Sequence, residues 1–567
     1  MVEPKAATAP EALRILRLTS RRREGLPALK SFNSQTPSLP CMNNSPIRLP
    51  RLIALLALGA ALPAGLAAEE SQGEINQRLL KRLEQLEQEV KELRKTALPQ
   101  VKIDPDYNAV RLEDVEQKIR VIERKSELAS EAAVEKAKTA PVLAAGPEGF
   151  QFRSADTNFV IRFRGYVQAD ARFFPDNNSA GTANDTFLMR RVRPIIEGTV
   201  YGKYDFRVML DFASGITSSA ANNSFVQDAY LNARLYPEFQ IQAGKFKEPV
   251  GLERLQSGNN LLFIERGYPT QLVPNRDVGL QLHGSIREGL LNYQVGVFNG
   301  VADGASGDLD TADNDKDVAA RVFSHPFKNS SIEGLRGLGV GVAGTTGNQE
   351  GALRVFSSPG QQQIFNYRSG KSDPLSTLYG LPLVNVVADG EHWRLAPQAY
   401  YYWGPFGFFG EYVFSQQANR RDLIDNNGLI TASSAATFRN TAWQVAGSYI
   451  LSGEDNSFNP LVPRQPFTLG DTGWGAWEFA ARAGGLDVDK YAFSLGYAHP
   501  SVSAAGAFSW GVGVNWYVNR NIKISLNYEQ TRFDLSDASP GAGITVPVSP
   551  LLLKGEKAVL TRAQVSF

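Results

Sequence analysis

Apolar and polar residues alternate with a period of two from Phe150 to the C-terminus, and nothing else in the chain limits its fold so strongly. In residues 558–567, Val559, Ala563, Val565 and Phe567 hold one parity and Arg562, Gln564 and Ser566 the other, with Thr561 the exception. Upstream, Phe159, Ile161, Phe163, Gly165, Val167, Ala169, Ala171 and Phe173 oppose Val160, Arg162, Arg164, Tyr166, Gln168, Asp170 and Arg172. Tyr204, Phe206, Val208, Leu210 and Phe212 oppose Asp205, Arg207, Met209 and Asp211. Successive side chains of a strand point to opposite faces, so each segment predicts a strand with one apolar and one wet face. Residues 239–242, 278–287, 291–297, 510–517 and 522–529 repeat the pattern, the last two joined by the short turn 518–521. One such strand would suit the edge of a soluble sandwich. At about 10 residues per strand, with short turns at one end and longer loops at the other, the region from 150 to 567 holds about 16. A ring of that size encloses an aqueous channel. The predicted fold is an all-β transmembrane antiparallel barrel, preceded by an α-helical coiled-coil segment.

Composition agrees where it bears on this choice. Mean hydropathy is −0.24, and no apolar run is long enough to cross a membrane as a helix. A barrel escapes that test because only alternate residues face lipid. Aromatic clusters bracket turns, as in residues 400–403, then Gly404-Pro405, then Phe406, Phe408 and Phe409, which fits an interfacial girdle. The net charge of +1 argues against generic nucleic-acid binding. The alternating tail with its final aromatic resembles the closing strand of bacterial outer-membrane barrels, and that resemblance implies recognition by the barrel assembly machinery.

Ahead of the barrel the chain changes character several times. Residues 1–41 are rich in Pro and Arg without periodicity and read as an upstream extension absent from the mature protein. Residues 42–68 read as a signal peptide: Arg48 and Arg51, an apolar core at 52–62, then the small-residue site Gly65-Leu66-Ala67-Ala68. The core is too short for a membrane anchor. Cys41, the only cysteine, precedes Met42, so the mature chain is expected to lack thiol chemistry. In 69–98, Leu79, Leu83, Leu86, Val90 and Leu93 form a coiled-coil seam that Asn76 extends upstream. Self-association fits so narrow a stripe; packing against the chain's own barrel is the alternative. Pro99 and Pro105 interrupt it. Residues 99–149 carry a second stretch, Leu112, Val115, Ile119 and Ile122, and a Pro/Gly linker over 141–149. Its phase is new, since three heptads beyond Leu93 falls on Asp114. The barrel is expected in the outer membrane and this stalk in the periplasm.

Ordered motifs narrow the reading. Residues 187–193 with Arg190, Arg191 and Arg193, then Tyr204-Asp205-Phe206, Ala243-Gly244-Lys245-Phe246, Pro249-Val250-Gly251-Leu252-Glu253, Gly475-Ala476-Trp477-Glu478 and residues 512–517 together resemble the phosphate-selective porin family. The resemblance covers residues 150–567 and not the stalk. It implies a 16-stranded homotrimer that passes inorganic anions through an arginine- and lysine-lined channel. It also implies a loop folded into the lumen with a critical lysine, whose position the Gly251-Leu252-Glu253 match gives to Arg254. A second departure is Tyr166, where phosphate-selective members often carry arginine.

The residues themselves point to an anion path. Arg162, Arg164 and Arg172 share a polar strand face, Arg191 and Arg193 share the next, and Arg190, Arg207 and Arg562 complete the expected lumenal set. Arginine stays charged and offers a planar fork of donors to oxyanions. The alternative is that Asp170, Asp205, Asp211 and Glu197 simply neutralise it. Lys245, Lys247, Arg254 and Arg266 lie in a loop-like stretch after the fifth strand, the expected constriction. The segment from Asp303 to Asp317, with Asp308, Asp310, Asp313, Asp315 and Asp317, lacks the Gly and Glu of a calcium loop and reads as a solvated outer loop. The histidines His283, His325, His392 and His499 show no metal-ligand spacing, and no nucleophile motif occurs. No enzyme activity, metal or cofactor is expected. The reading is a passive porin for inorganic phosphate or similar anions, contacting outer-membrane lipid, with cell-wall contact through the stalk. A general, weakly selective porin and a structural tether are the alternatives.

Overall fold

The computed structural model describes residues 81, 84, 85, 87–89, 91, 92 and 105–567, the latter without 176–183, 214–224, 310–312, 371–375, 377–382, 471, 537–546, 550, 551 and 554. The upstream extension, the signal peptide and the seam leucines Leu79 to Leu93 lie outside the described residues. The chain divides into two compact units, Met1–Lys118 and Ile119–Phe567. Helix α1 spans Pro105–Thr139 and opens on Pro105, where a fixed φ suits the first turn and the missing N–H has no intrahelical partner to lose. Within the expected linker, Val142–Gly146 pairs with Gly149–Arg153 as an accessory hairpin.

Sixteen antiparallel strands then close into a barrel. They are β1 Val160–Phe173, β2 Thr186–Val200, β3 Tyr204–Leu210, β4 Val226–Tyr236, β5 Phe239–Lys247, β6 Arg276–Ile286, β7 Leu291–Phe298 and β8 Asp317–Ser324. The ring continues with β9 Leu338–Ala352, β10 Leu383–Trp403, β11 Phe406–Ile424, β12 Ile430–Ile450, β13 Ala476–Asp487, β14 Gly506–Tyr517, β15 Ile522–Asp534 and β16 Glu556–Ser566. Each pairs with its sequence neighbours. The wall is uneven: β3 has 7 residues and β7 and β8 have 8 each, whereas β10 and β12 have 21.

The polarity is inverted relative to a soluble core. On β14, Phe508, Trp510 and Val512 face outward and are exposed, while Ser509 and Asn515 face inward and are buried. Such a wall suits lipid outside and water with polar loops inside. Tight turns occupy one end; Gly404, with φ 51°, takes the left-handed conformation that the two-residue connection from β10 to β11 requires. The longer loops occupy the other end.

Closure is set by β16 against β1, with Arg562 opposite Asp170. Below it, Gly165 and Phe567 exchange both backbone hydrogen bonds at 2.9 Å, and the accessory hairpin pairs with the start of β1 from Arg153↔Val160 to Phe150↔Phe163. The Arg562 guanidinium grips both carboxylate oxygens of Asp170 at 2.7 Å. Removing one partner of a buried pair strands the other charge, at about 3–5 kcal/mol. Arg562→Ala should therefore lower the temperature at which the folded barrel converts to its slower-migrating unfolded form in detergent gels. Asp170→Asn combined with Arg562→Gln should lower it less. Equal shifts would mean the pair does not lock the seam.

Candidate functional site

The segment joining β5 to β6, residues 248–275, leaves the wall and crosses the lumen. Its backbone carbonyls are held by side chains of the facing wall. Gln168 donates to Gly258 O (2.8 Å), Gln564 to Asn259 O (3.0 Å), Lys523 to Leu261 O (2.8 Å) and Asn515 to Leu262 O (2.9 Å). Arg562 donates to Ile264 O and Arg482 to Glu265 O, both at 2.7 Å. Asn527 accepts from the Ile264 N–H at 2.7 Å. Across the lumen, Glu411 on β11 accepts the N–H groups of Leu252 (2.6 Å) and Glu253 (3.2 Å). Gln444 on β12 donates to both Glu411 and Glu253. An irregular backbone inside a barrel has no ladder to satisfy it, so wall side chains must supply the partners.

Glu265, near the loop's far end, is gripped by Arg190 (2.6 and 3.0 Å), Arg172 (3.3 Å) and Arg562 (3.4 Å). Burial would raise its pKa, but Arg190 above all, with Arg191 and Arg562, holds the carboxyl well below the usual range. Arg190 reaches it through a β-bulge. Gln168 pairs with Arg191 and Ala169 with Met189, so Arg190 is the extra residue of β2. Simple alternation would turn Arg190 toward lipid; the bulge brings Arg190 and Arg191 inward together.

The other wall arginines are also engaged. Arg164 and Arg207 meet Glu197 at 3.0 and 2.9 Å, and Arg207 also meets Asp228. Arg193 binds Asp211 (2.7 Å) and donates to the Tyr166 hydroxyl (2.9 Å). Arg162 sits at the foot of β1, exposed, donating to Gln151 of the accessory hairpin, apart from the loop. Arg191 donates to Gln168 (2.8 Å), and no carboxylate pairs with it among the described residues.

Of the four cations expected at the constriction, three converge. Lys247 donates to Leu255 O (3.2 Å) and Gln256 O (2.7 Å), Arg266 to Glu253 O (3.2 Å) and Gln256 O (2.7 Å), and Arg254 to Thr270 O. All three are half-buried and bonded to backbone carbonyls, without a carboxylate partner among the described residues. Arg254 Nε has no hydrogen-bond partner among them either. Burial first, then the charges of Arg266 and Arg276, press the Arg254 pKa below its ordinary range. Lys245 does not join them. It and Lys247 belong to β5 rather than to a loop, and Lys245 is buried in an ion pair with Asp308.

Two further segments shape the lumen. Residues 353–370 turn inward, and Phe356, Ile364, Phe365 and Tyr367 join Tyr268, Leu272 and Val273 in one apolar cluster. Residues 451–475, on the short-turn end, rise beneath the loop, where Phe458 stacks on Tyr400 (5.3 Å, 20°). Between that segment and the loop lies a chamber of about 450 Å³ with Arg164, Arg207, Asn259, Asn260 and Asn456 in its lining. Alternation did not reveal either segment; the length of 451–475 at the short-turn end was the available signal. Asp303, expected in solvent, folds inward onto Arg394 (2.7 Å) and Ser415 (2.7 Å), because a buried guanidinium needs a counter-charge.

The family model for phosphate-selective porin O and P matches residues 161–541. Porin O of Pseudomonas aeruginosa is 23% identical over 418 residues, covering 68% of this chain and 86% of that protein. Among solved structures, the outer-membrane channel DcaP of Acinetobacter baumannii aligns with TM-score 0.43 and 14% identity, over 75% of this chain and 100% of its own. OmpT of Vibrio cholerae in its trimer form aligns with TM-score 0.39 and 11% identity, over 72% and 99%.

The pinned carbonyls generate a test. Asn515→Ala with Asn527→Ala removes two pins, each worth about 1–3 kcal/mol when a buried group loses its partner. The loop should loosen, so single-channel records should show larger mean conductance and more open-channel noise, with the barrel still folded. Unchanged conductance and noise would mean these contacts do not seat the loop.

Proposed function

This chain belongs to the phosphate-selective porin O and P family, and on that footing we propose that it is a passive outer-membrane channel preferring anions, with phosphate or related oxyanions as its solutes. The observation that carries the reading is the contrast in pairing. Most wall arginines already hold a carboxylate, whereas Lys247 at the end of β5 and Arg254 and Arg266 of the loop come together with none among the described residues. Like charges brought together and partly desolvated gain most from a visiting anion. A guanidinium can meet two oxygens of an oxyanion at once, and Arg254 keeps an unused buried Nε. Arg191 adds positive charge on the wall. An anion leaving the triad toward the short-turn end enters the chamber, where Arg164 and Arg207 continue the positive lining at reduced strength because Glu197 shares them.

In this reading the short turns and the stalk face the periplasm and the long loops face outward. The low wall bears on assembly. Strands of 7 or 8 residues fall short of the ~9–11 that a tilted strand needs to cross the hydrocarbon core. Copies of the chain, rather than lipid, would cover that side, as in a homotrimer. The paired wall arginines favour one competing reading, a general and weakly selective porin.

Planar-bilayer recording decides between them. In a salt gradient the reversal potential should report anion preference, and phosphate should block chloride current. Charged hydrogen bonds are worth about 1.5–3 kcal/mol, so Arg254→Ala and Arg266→Ala should each weaken the block by about tenfold or more. Raising ionic strength should erode the preference. Cation preference would overturn the anion reading; anion preference without phosphate block would leave the general porin.

A further inference from the structure

We infer that the outward face of β14 to β16, at the long-loop end, is a docking site for a phosphorylated lipid of the outer leaflet. From the short turn 518–521 upward, the outward residues of these strands are uncharged, among them Val512, Val514, Ile524, Leu526, Val559 and Ala563. Charge then appears at one level. Lys557 on β16 pairs with Gln530 on β15, and Arg532 lies two residues beyond Gln530. Both cations point outward, since Glu556, Ala558, Thr531 and Phe533 beside them in sequence are buried on the inward face. Arg532 stands eight residues above Ile524, which pairs with the lower-girdle Trp516. At about 3.4 Å per residue and a tilt of about 40°, that is roughly 20 Å higher, near the top of an apolar band about 25 Å tall.

A groove opens at the same level. Phe508 and Trp510 on β14 face Arg532 and Gln530 on β15, and these four residues line a space of about 410 Å³ on the outside of the wall. Its aromatic walls suit an acyl chain. The cations at its mouth suit the phosphate above that chain: the planar fork of Arg532 meets two phosphate oxygens, and Lys557 adds a second positive charge. Arg532 reaches Asp534 at 3.7 Å, with side-chain exposures of 78% and 54%. Exposed pairs of this kind contribute little, so a phosphate competes with it readily. Asp534 and Asp487 lie one outward step higher, on either side of Gly506, where a Cβ would stand 3.4 and 3.2 Å from their carboxylates. Their charge keeps the phosphate at the level of Arg532 and leaves acceptors above it for headgroup hydroxyls. The leaflet, though not the site, rests on the orientation proposed above, with the long loops outward.

The test uses the full chain purified from outer membranes in detergent, titrated with dioleoyl phosphatidic acid and followed by native mass spectrometry. Dioleoyl phosphatidylcholine is the comparison, and phosphatidic acid should bind more tightly. Arg532→Ala with Lys557→Ala should weaken phosphatidic acid binding by about tenfold or more, and Arg532→Lys should keep most of it. Trp510→Ala should weaken both lipids. Arg439→Ala, which removes an exposed arginine from the upper part of β12, should change neither. Equal binding of the two lipids, or no loss in the double variant, would overturn the phosphate site. Unchanged binding in Trp510→Ala, or an equal loss in Arg439→Ala, would overturn the groove. The leaflet is tested on intact cells. Asn427→Cys, with Cys41→Ser removing the native thiol, places a thiol in the β11–β12 connection, at the same end as Asp534. It should react with a membrane-impermeant maleimide; failure to react would overturn the orientation and the leaflet while the binding result in detergent stands. Neither readout depends on what the pore conducts.

Discussion

The carboxylate of Glu265, seated among Arg172, Arg190 and Arg562, is the contact on which the rest of the lumen depends. It joins three features that have no other reason to coincide. Arg562 belongs to the strand that closes the barrel, Arg190 is the extra residue of a bulge, and Glu265 is near the end of a loop begun on the far wall. A carboxylate buried alone would be driven to protonate; three guanidinium groups keep it ionised and fix where the loop ends. The same Arg562 grips Asp170 across the seam. Seam closure and loop position are therefore one electrostatic arrangement.

That arrangement changes the meaning of an arginine-rich lumen. Eight arginines expected in the lumen invite the picture of a ladder for anions. Most of them turn out to hold the protein to itself: Arg172, Arg190 and Arg562 on Glu265, Arg193 on Asp211, Arg164 and Arg207 on Glu197. A charge already matched by a buried neighbour contributes less field to a passing ion than an unmatched one. Without a carboxylate partner among the described residues are Lys247, Arg254 and Arg266 around the loop, and Arg191, Arg321 and Lys523 on the wall.

How much of this could be read from the sequence follows from the range of each interaction. Alternation is local, so the strands, their inward faces and the inward direction of Arg562 were legible. The strand number followed from length. The loop of 248–275 was legible as a break in alternation with Gly251, Gly258 and Asn259-Asn260. The bulge was not, because the adjacent pair Arg190-Arg191 does not show which residue is the extra one until the partner Gln168 is known. Lys245 could not be separated from Lys247, since the difference is a partner 63 residues away, Asp308. The carbonyl pins were equally hidden. Gln168, Asn515, Lys523 and Gln564 read only as wet-face residues, and their partners are backbone groups that carry no sequence signature. Residues 353–370 and 451–475 fill the lumen by apolar contacts between segments far apart in the chain.

The unequal heights of the wall strands bear on what covers the barrel from outside. A barrel side built from 7- and 8-residue strands is too short for the hydrocarbon core, so that side gains by meeting protein. The strands β9 to β12, 15 to 21 residues long, exceed that length.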